Sequence, residues 1–103
     1  MKVKVSTEAT EELIQAAAWY ELEVRGLGDQ LIDTFEQATT RLSEPNPPLV
    51  PVIGEAARLG AKRFILQRFP FSIVTIANSQ VITVVAFAHH SRKPGYWHKR
   101  ITP

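Results

Sequence analysis

A chain of 103 residues with no cysteine and a net charge of +2 makes one modest domain, without disulfides or thiolate-bound metal. Its longest apolar run, Val81–Ala88, is interrupted by Thr83 and is too short to cross a bilayer. Met1–Val5 is short and charged and no apolar signal segment follows it, so a cytoplasmic protein away from membranes is expected.

Lys2–Val5 alternates Lys and Val and predicts a short half-exposed strand. Ser6 or Thr7 is a suitable N-cap for a helix, and Glu8, Glu11 and Glu12 suit its positive end. Leu13, Ala16, Ala17, Tyr20 and Val24 recur at helical spacing and make one apolar face. Trp19 lies beside that face and is expected to pack at the edge of the core. Gly26 is expected to end the helix in the left-handed conformation. After the short link Leu27-Gly28-Asp29, a second helix is predicted from about Asp29 to Ser43, with Leu31, Phe35, Ala38 and Leu42 as its apolar stripe. So short a link makes the two helices an antiparallel hairpin. Pro45 stops the second helix, and Pro45, Pro47, Pro48 and Pro51 stiffen a loop that returns the chain to the sheet.

Three more strands follow. Leu59–Arg68 alternates imperfectly, and Phe69-Pro70 marks a corner because proline cannot donate to a strand ladder. Phe71–Ala77 is the next strand, with Asn78-Ser79 as a two-residue turn. Gln80–Ala88 is apolar on both faces, with Val81, Val85 and Phe87 on one and Ile82, Val84 and Ala86 on the other. One helical hairpin covers only one face of a small sheet, so the loop, the C-terminal segment or a partner must cover the second. The final segment, His89–Pro103, gathers His89, His90, Arg92, Lys93, Tyr96, Trp97, His98, Lys99 and Arg100. Pro94 and Gly95 favour a turn within it.

Charge divides the chain in two. Ten acids and four bases precede Ala56, a balance of −6, and eight bases with no acid follow, a balance of +8. Acidic helices facing a basic sheet account for part of this. A basic half without carboxylates also suits an acidic partner protein or a phosphate backbone.

The chemistry is bounded by what is missing. His89 and His90 are adjacent, so on a strand they point to opposite faces. With no carboxylate after Glu55 no metal site is expected. No nucleophile elbow surrounds Ser72, Ser79 or Ser91, and Gly26 and Gly28 lack any phosphate-loop fingerprint, so no cofactor is expected. Metal-free work on RNA remains open. His89 or His90 could move protons, Arg63, Arg68 and Arg92 could hold phosphate oxygens, and Tyr96 and Trp97 could stack on bases. Each also has a plainer role, and for Trp97 closure of the sheet is the favoured one.

With these residues laid out, the chain resembles toxins of the RelE/ParE superfamily of bacterial type II toxin–antitoxin systems, most of all the ParE, or plasmid stabilisation, branch. The resemblance covers nearly the whole chain. It rests on Ala18-Trp19-Tyr20, Gly26-Leu27-Gly28, the run from Arg68 through Phe69-Pro70-Phe71 to Val74, and His89, Arg92, Pro94, Tyr96 and Trp97 at the end. A phenylalanine, Phe71, stands where ParE-like chains usually carry tyrosine after the Phe-Pro corner.

The resemblance implies an α+β domain over residues 1–103 in the order β-α-α-β-β-β, a small, mainly antiparallel sheet with the helical hairpin on one face. It implies a small acidic antitoxin wrapped over apolar and basic surface, and hence a hetero-oligomer. It further implies inhibition of DNA gyrase by binding, with Arg63, Arg68, His89, Arg92, Tyr96 and Trp97 as the residues that meet target or antitoxin. The RelE-like alternative is a metal-independent endoribonuclease that cuts mRNA on the ribosome, for which His89, Arg68, Arg92 and Tyr96 would be catalytic. A binding module of unrelated function is the remaining alternative.

Overall fold

The computed structural model describes residues 1–101. Strand β1 is Lys2–Val5, helix α1 is Thr7–Glu23 and helix α2 is Leu27–Ser43. Four strands follow: β2 Val50–Pro51, β3 Lys62–Ile65, β4 Phe71–Ala77 and β5 Val81–His89. Short 3-10 helices occupy Glu55–Leu59 and His98–Arg100. The five strands form one sheet in the order β1-β5-β4-β3-β2. Only the β1–β5 pair is parallel. This is the expected α+β fold, with one short strand added where the proline-rich segment was expected to be a loop. Pro51 is tolerated there because β2 is an edge strand.

Local chemistry sets the helix ends. Ser6 Oγ accepts from the Ala9 N–H at 3.1 Å and caps α1. The helix stops at Glu23, and Val24 takes an extended conformation, which turns its side chain off the core face and leaves it exposed. Gly26 is left-handed as expected (φ +88°), but it serves as the N-cap of α2, which begins two residues earlier than predicted. The Glu21 carboxylate accepts from the N–H groups of Gly26 and Gly28, at 2.8 and 3.0 Å, and so satisfies the start of α2 from the end of α1. A Cβ on Gly28 would collide with the Ala17 carbonyl; the close approach of the two helices depends on its absence. Trp19 does not pack at the core edge. It stands 58% exposed and touches the Tyr20 ring edge-on.

Each face of the sheet carries its own core. The helices press Ala9, Leu13, Leu31, Phe35, Ala38 and Leu42 against Phe71, Ile73, Val84 and Phe87. On the other face Val52, Ala56, Ala61 and Trp97 cover Val74, Val85 and Ala86, with Tyr96 and Ile101 alongside. The chain's own proline-rich and C-terminal segments therefore cover much of the second face.

The face assignment for β5 needs one correction. Val74 pairs with Ala86 but Thr75 pairs with Val84, so Val85 has no partner. This β-bulge breaks strict alternation. Phe87 consequently joins Val84 in the helix-side core, while Val85 and Ala86 share the opposite one.

The strand expected over Leu59–Arg68 is shorter than predicted. Leu59 ends a 3-10 helix, and the strand stops at Ile65. Arg68 adopts φ +71°, a left-handed conformation incompatible with a strand. The β4–β5 turn is displaced by one residue: Asn78 pairs with Val81 across Ser79-Gln80, and its side chain accepts from the Gln80 and Val81 N–H groups.

Candidate functional site

At the end of β5 the chain turns through Ser91, with the Arg92 N–H donating to the His89 carbonyl at 3.0 Å. Gly95, at φ +79°, makes the second turn, which only glycine enters freely. These turns fold the C-terminal segment back over the second face. They open a cleft of about 140 Å³ between that segment and the sheet.

Arg63, Ser72, Val74, His90, Arg92 and Lys93 line the cleft, with His89, Tyr96 and Trp97 also on its wall. Arg63 pairs with Val74 across β3 and β4, which puts both side chains on this face. His90 Nε2 and the buried Ser72 Oγ share a hydrogen bond at 2.9 Å. Val74 and Trp97 supply an apolar floor. Trp97 is only 5% exposed. It closes the sheet, as its packing role required, and offers a partner little surface.

The site is anchored by Glu12, which the sequence marks only as an acid suited to the start of α1. Glu12 projects from α1, and four groups converge on its carboxylate. Oε1 accepts from the Phe87 N–H at 3.0 Å and from Arg100 Nη1 at 2.8 Å. Oε2 accepts the Tyr96 hydroxyl and Arg100 Nη2, the latter at 3.3 Å. Arg92 Nη1 lies 3.9 Å from Oε2. Arg100 Nη1 also donates to the Val85 carbonyl at 3.1 Å. β1 pairs with β5 only as far as Val84. Beyond it the open edge of β5 is satisfied by side chains: Glu12 takes Phe87 N–H and Arg100 takes Val85 C=O.

This arrangement sets the protonation states. Burial alone would raise the Glu12 carboxyl, but hydrogen bonds from Arg100, Tyr96 and Phe87 outweigh it and hold the group below the usual carboxylate range. Burial, and then the bond to Glu12, push the Tyr96 hydroxyl well above the ordinary tyrosine value. The bond to Glu12 likewise raises Arg100. Arg92 stacks its guanidinium 3.7 Å from the centre of the Tyr96 ring, a cation–π contact. Tyr96 is thus a proton donor fixed to Glu12, and its ring is a platform for Arg92.

Arg68 and His89 stand apart from this arrangement. Arg68 does not line the cleft. It donates to Gln30 Oε1 on α2 at 2.7 Å and stacks on Phe69. His89 sits edge-on to Phe71 at 5.0 Å, and its Nδ1 accepts the Ser91 N–H at 3.0 Å, which places the proton of the neutral ring on Nε2. The structure therefore brings Arg63, His89, Arg92, Tyr96 and Trp97 to one cleft and leaves Arg68 on the helix side. Arg92 has no acid near it in sequence, but the fold brings Glu12 to it. Arg63, Arg68 and Lys93 make no ion pair among the described residues.

No protein-family model matches the chain, and no curated protein matches it. Among solved structures, a chain of the chromosomal ParDE TA system from P. aeruginosa is similar, with a TM-score of 0.72 at 16% identity, covering 86% of this chain and 95% of that one. At this identity the likeness establishes the fold. The chain shares the fold of that chain, a helical hairpin against one mixed sheet. No helix among the described residues is long and apolar enough to cross a membrane.

Proposed function

We propose that the chain is the toxin of a type II toxin–antitoxin pair, of the ParE type, which acts by binding and is held by a small acidic antitoxin. The observation that carries this reading is the cleft. Arg63, Arg92 and Lys93 meet there over an apolar floor, and Glu12 balances Arg92 and Arg100 but neither Arg63 nor Lys93. Such a surface suits an extended segment that carries carboxylates and apolar side chains. The likeness to a chain of a ParDE TA system supports the same reading.

DNA gyrase is the proposed target, with the helical hairpin and the basic C-terminal segment as the contact surfaces. Purified gyrase should lose supercoiling activity as the protein is added. Full supercoiling at high protein excess would remove gyrase as the target. An adjacent reading frame that encodes an acidic protein, and co-purification of that protein with this chain, test the antitoxin.

A RelE-like endoribonuclease is the second reading, favoured by His89, Arg92 and Tyr96 sharing one cleft. Against it, the Tyr96 hydroxyl is committed to Glu12 and Arg68 lies outside the cleft. Toeprinting of mRNA on translating ribosomes, with wild type and the His89→Ala, Arg92→Ala double variant, decides between the two. Loss of activity in both assays would leave a binding module of another function.

A further inference from the structure

A second concavity opens on the helix side of the same strand end. It measures about 230 Å³ and is lined by Ala16, Trp19, Tyr20, Phe71 and His89. Four of its five walls are rings. Trp19 meets Tyr20 edge-on at 5.1 Å, and Phe71 meets His89 edge-on at 5.0 Å. Whole small-molecule sites run to about 300–1,000 Å³, so this slot fits a single side chain better than a cofactor. Trp19 explains itself only in this context. An indole 58% exposed on a helix whose core face is already filled contributes little to the fold. As the outer wall of a slot, it gives an incoming apolar group a large face to pack against.

His89 lines both concavities, so the slot adjoins the basic cleft at the end of β5. The neutral His89 ring carries its proton on Nε2, and that atom has no hydrogen-bond partner among the described residues. It is free to donate to the backbone of a segment that crosses the strand end. Arg68 extends the cationic border past Phe69, whose ring touches Tyr20 at 5.3 Å. Glu12, one turn before Ala16 on α1, is already paired with Arg100 and Arg92.

We infer that the slot takes one aromatic- or leucine-sized side chain of the acidic segment whose carboxylates occupy the cleft. This rests on reading the cleft as the seat of an acidic protein. The two concavities then form one bipartite site, with charge read on one side of His89 and shape on the other.

The test uses two labelled synthetic peptides with acidic residues on both sides of one central position, phenylalanine in one and alanine in the other. Fluorescence anisotropy measures binding of each to the intact protein. The phenylalanine peptide should bind about ten- to a hundredfold tighter than the alanine peptide, and Trp19 emission should shift only with the former. Trp97, on the cleft wall, should respond alike to both peptides, and Trp19→Phe identifies the reporter. Trp19→Ala changes an exposed residue, so the fold should persist, and the preference should shrink to within about twofold. Ala16→Leu, which fills the slot from within, should do the same. The paired variant Arg63→Gln, Arg92→Gln should weaken both peptides equally and keep their ratio. If that variant binds both peptides as tightly as wild type while the phenylalanine preference remains, the acidic-partner reading of the cleft fails and the slot stands. Equal binding of the two peptides to wild type, or no binding of either, overturns the slot.

Discussion

Replacing Glu12 tests how the site is held together. The carboxylate is 15% exposed and Arg100 is 23% exposed, so the pair is largely withdrawn from water. Glu12→Ala would leave Arg100 without its charge partner and the Phe87 N–H and Tyr96 hydroxyl without acceptors. Breaking a buried ion pair on one side costs about 3–5 kcal/mol. Residual solvent access on both partners puts this case near the lower end, at about 3 kcal/mol. For a chain of this size that lowers Tm by roughly 15 °C.

The pH dependence gives this prediction its sharper form. Glu12 is held below its unfolded value of 4.5, so the folded state favours the ionised form. Its contribution is complete above that value and is lost as pH falls through the lower folded value. The stability gap between wild type and Glu12→Ala should therefore be full at about pH 7 and narrow progressively below about pH 4. Urea unfolding of both proteins across that range measures it. A gap that stays constant into acid, or one under about 1 kcal/mol at neutral pH, would refute the assignment of Glu12 as the ionised anchor.

Other substitutions follow the same logic. Gly28→Ala should cost at least about 2 kcal/mol, because its methyl meets the Ala17 carbonyl and the helices must separate; an unchanged denaturation midpoint would mean that the hairpin is looser than described. Trp97→Ala should cost about 3–5 kcal/mol, read by urea denaturation, since it opens the core on the second face. Arg68→Asn keeps a residue type that tolerates the left-handed conformation, so stability should stay within about 1 kcal/mol of wild type while partner affinity falls in a titration. Tyr96→Phe keeps the platform under Arg92 and loses only the hydroxyl. It should cost about 1–2 kcal/mol in urea denaturation while gyrase inhibition persists, whereas a ribonuclease using that hydroxyl would lose cleavage.

The elements were legible where one local signal dominated. Leu31, Phe35, Ala38 and Leu42 all lie buried on α2 because helical spacing alone determines that face. β4 has the predicted bounds, Phe71–Ala77, since Pro70 and Asn78 bracket it. Where two signals compete, the local pattern misleads. Apolar alternation through Val84, Val85 and Ala86 contains no mark of a bulge, because both faces there are apolar. Nor does composition reveal that Arg68 turns left-handed, since arginine is not a residue type that announces it. For the site, the clustering of His89, Arg92, Tyr96 and Trp97 came from proximity in sequence. Glu12 is separated from its partners by 75 to 88 residues and was invisible as a partner. A signal for it did exist. Glu12 falls three residues after Ala9 and four before Ala16, along the edge of the buried stripe, and an acid there needs a partner.

The bulge and the anchor explain one another. Val85 is unpaired toward β4, and β1 stops at Val84 on the other side, so this stretch of β5 has lost ladder partners along both edges. Side chains replace them. Ser6 and Arg100 reach Val85 C=O, and Glu12 reaches Phe87 N–H. The same Glu12 and Arg100 then fix Tyr96, and Tyr96 presents Arg92 to the cleft. The position of the cleft's cations is thereby tied to a helix on the opposite face of the sheet. It follows that a change on α1 can alter partner binding without touching the partner, and that Glu12 variants must be compared for affinity at matched folded fraction. With that control, a loss confined to dissociation rate would mean a cleft that forms but holds its shape less well.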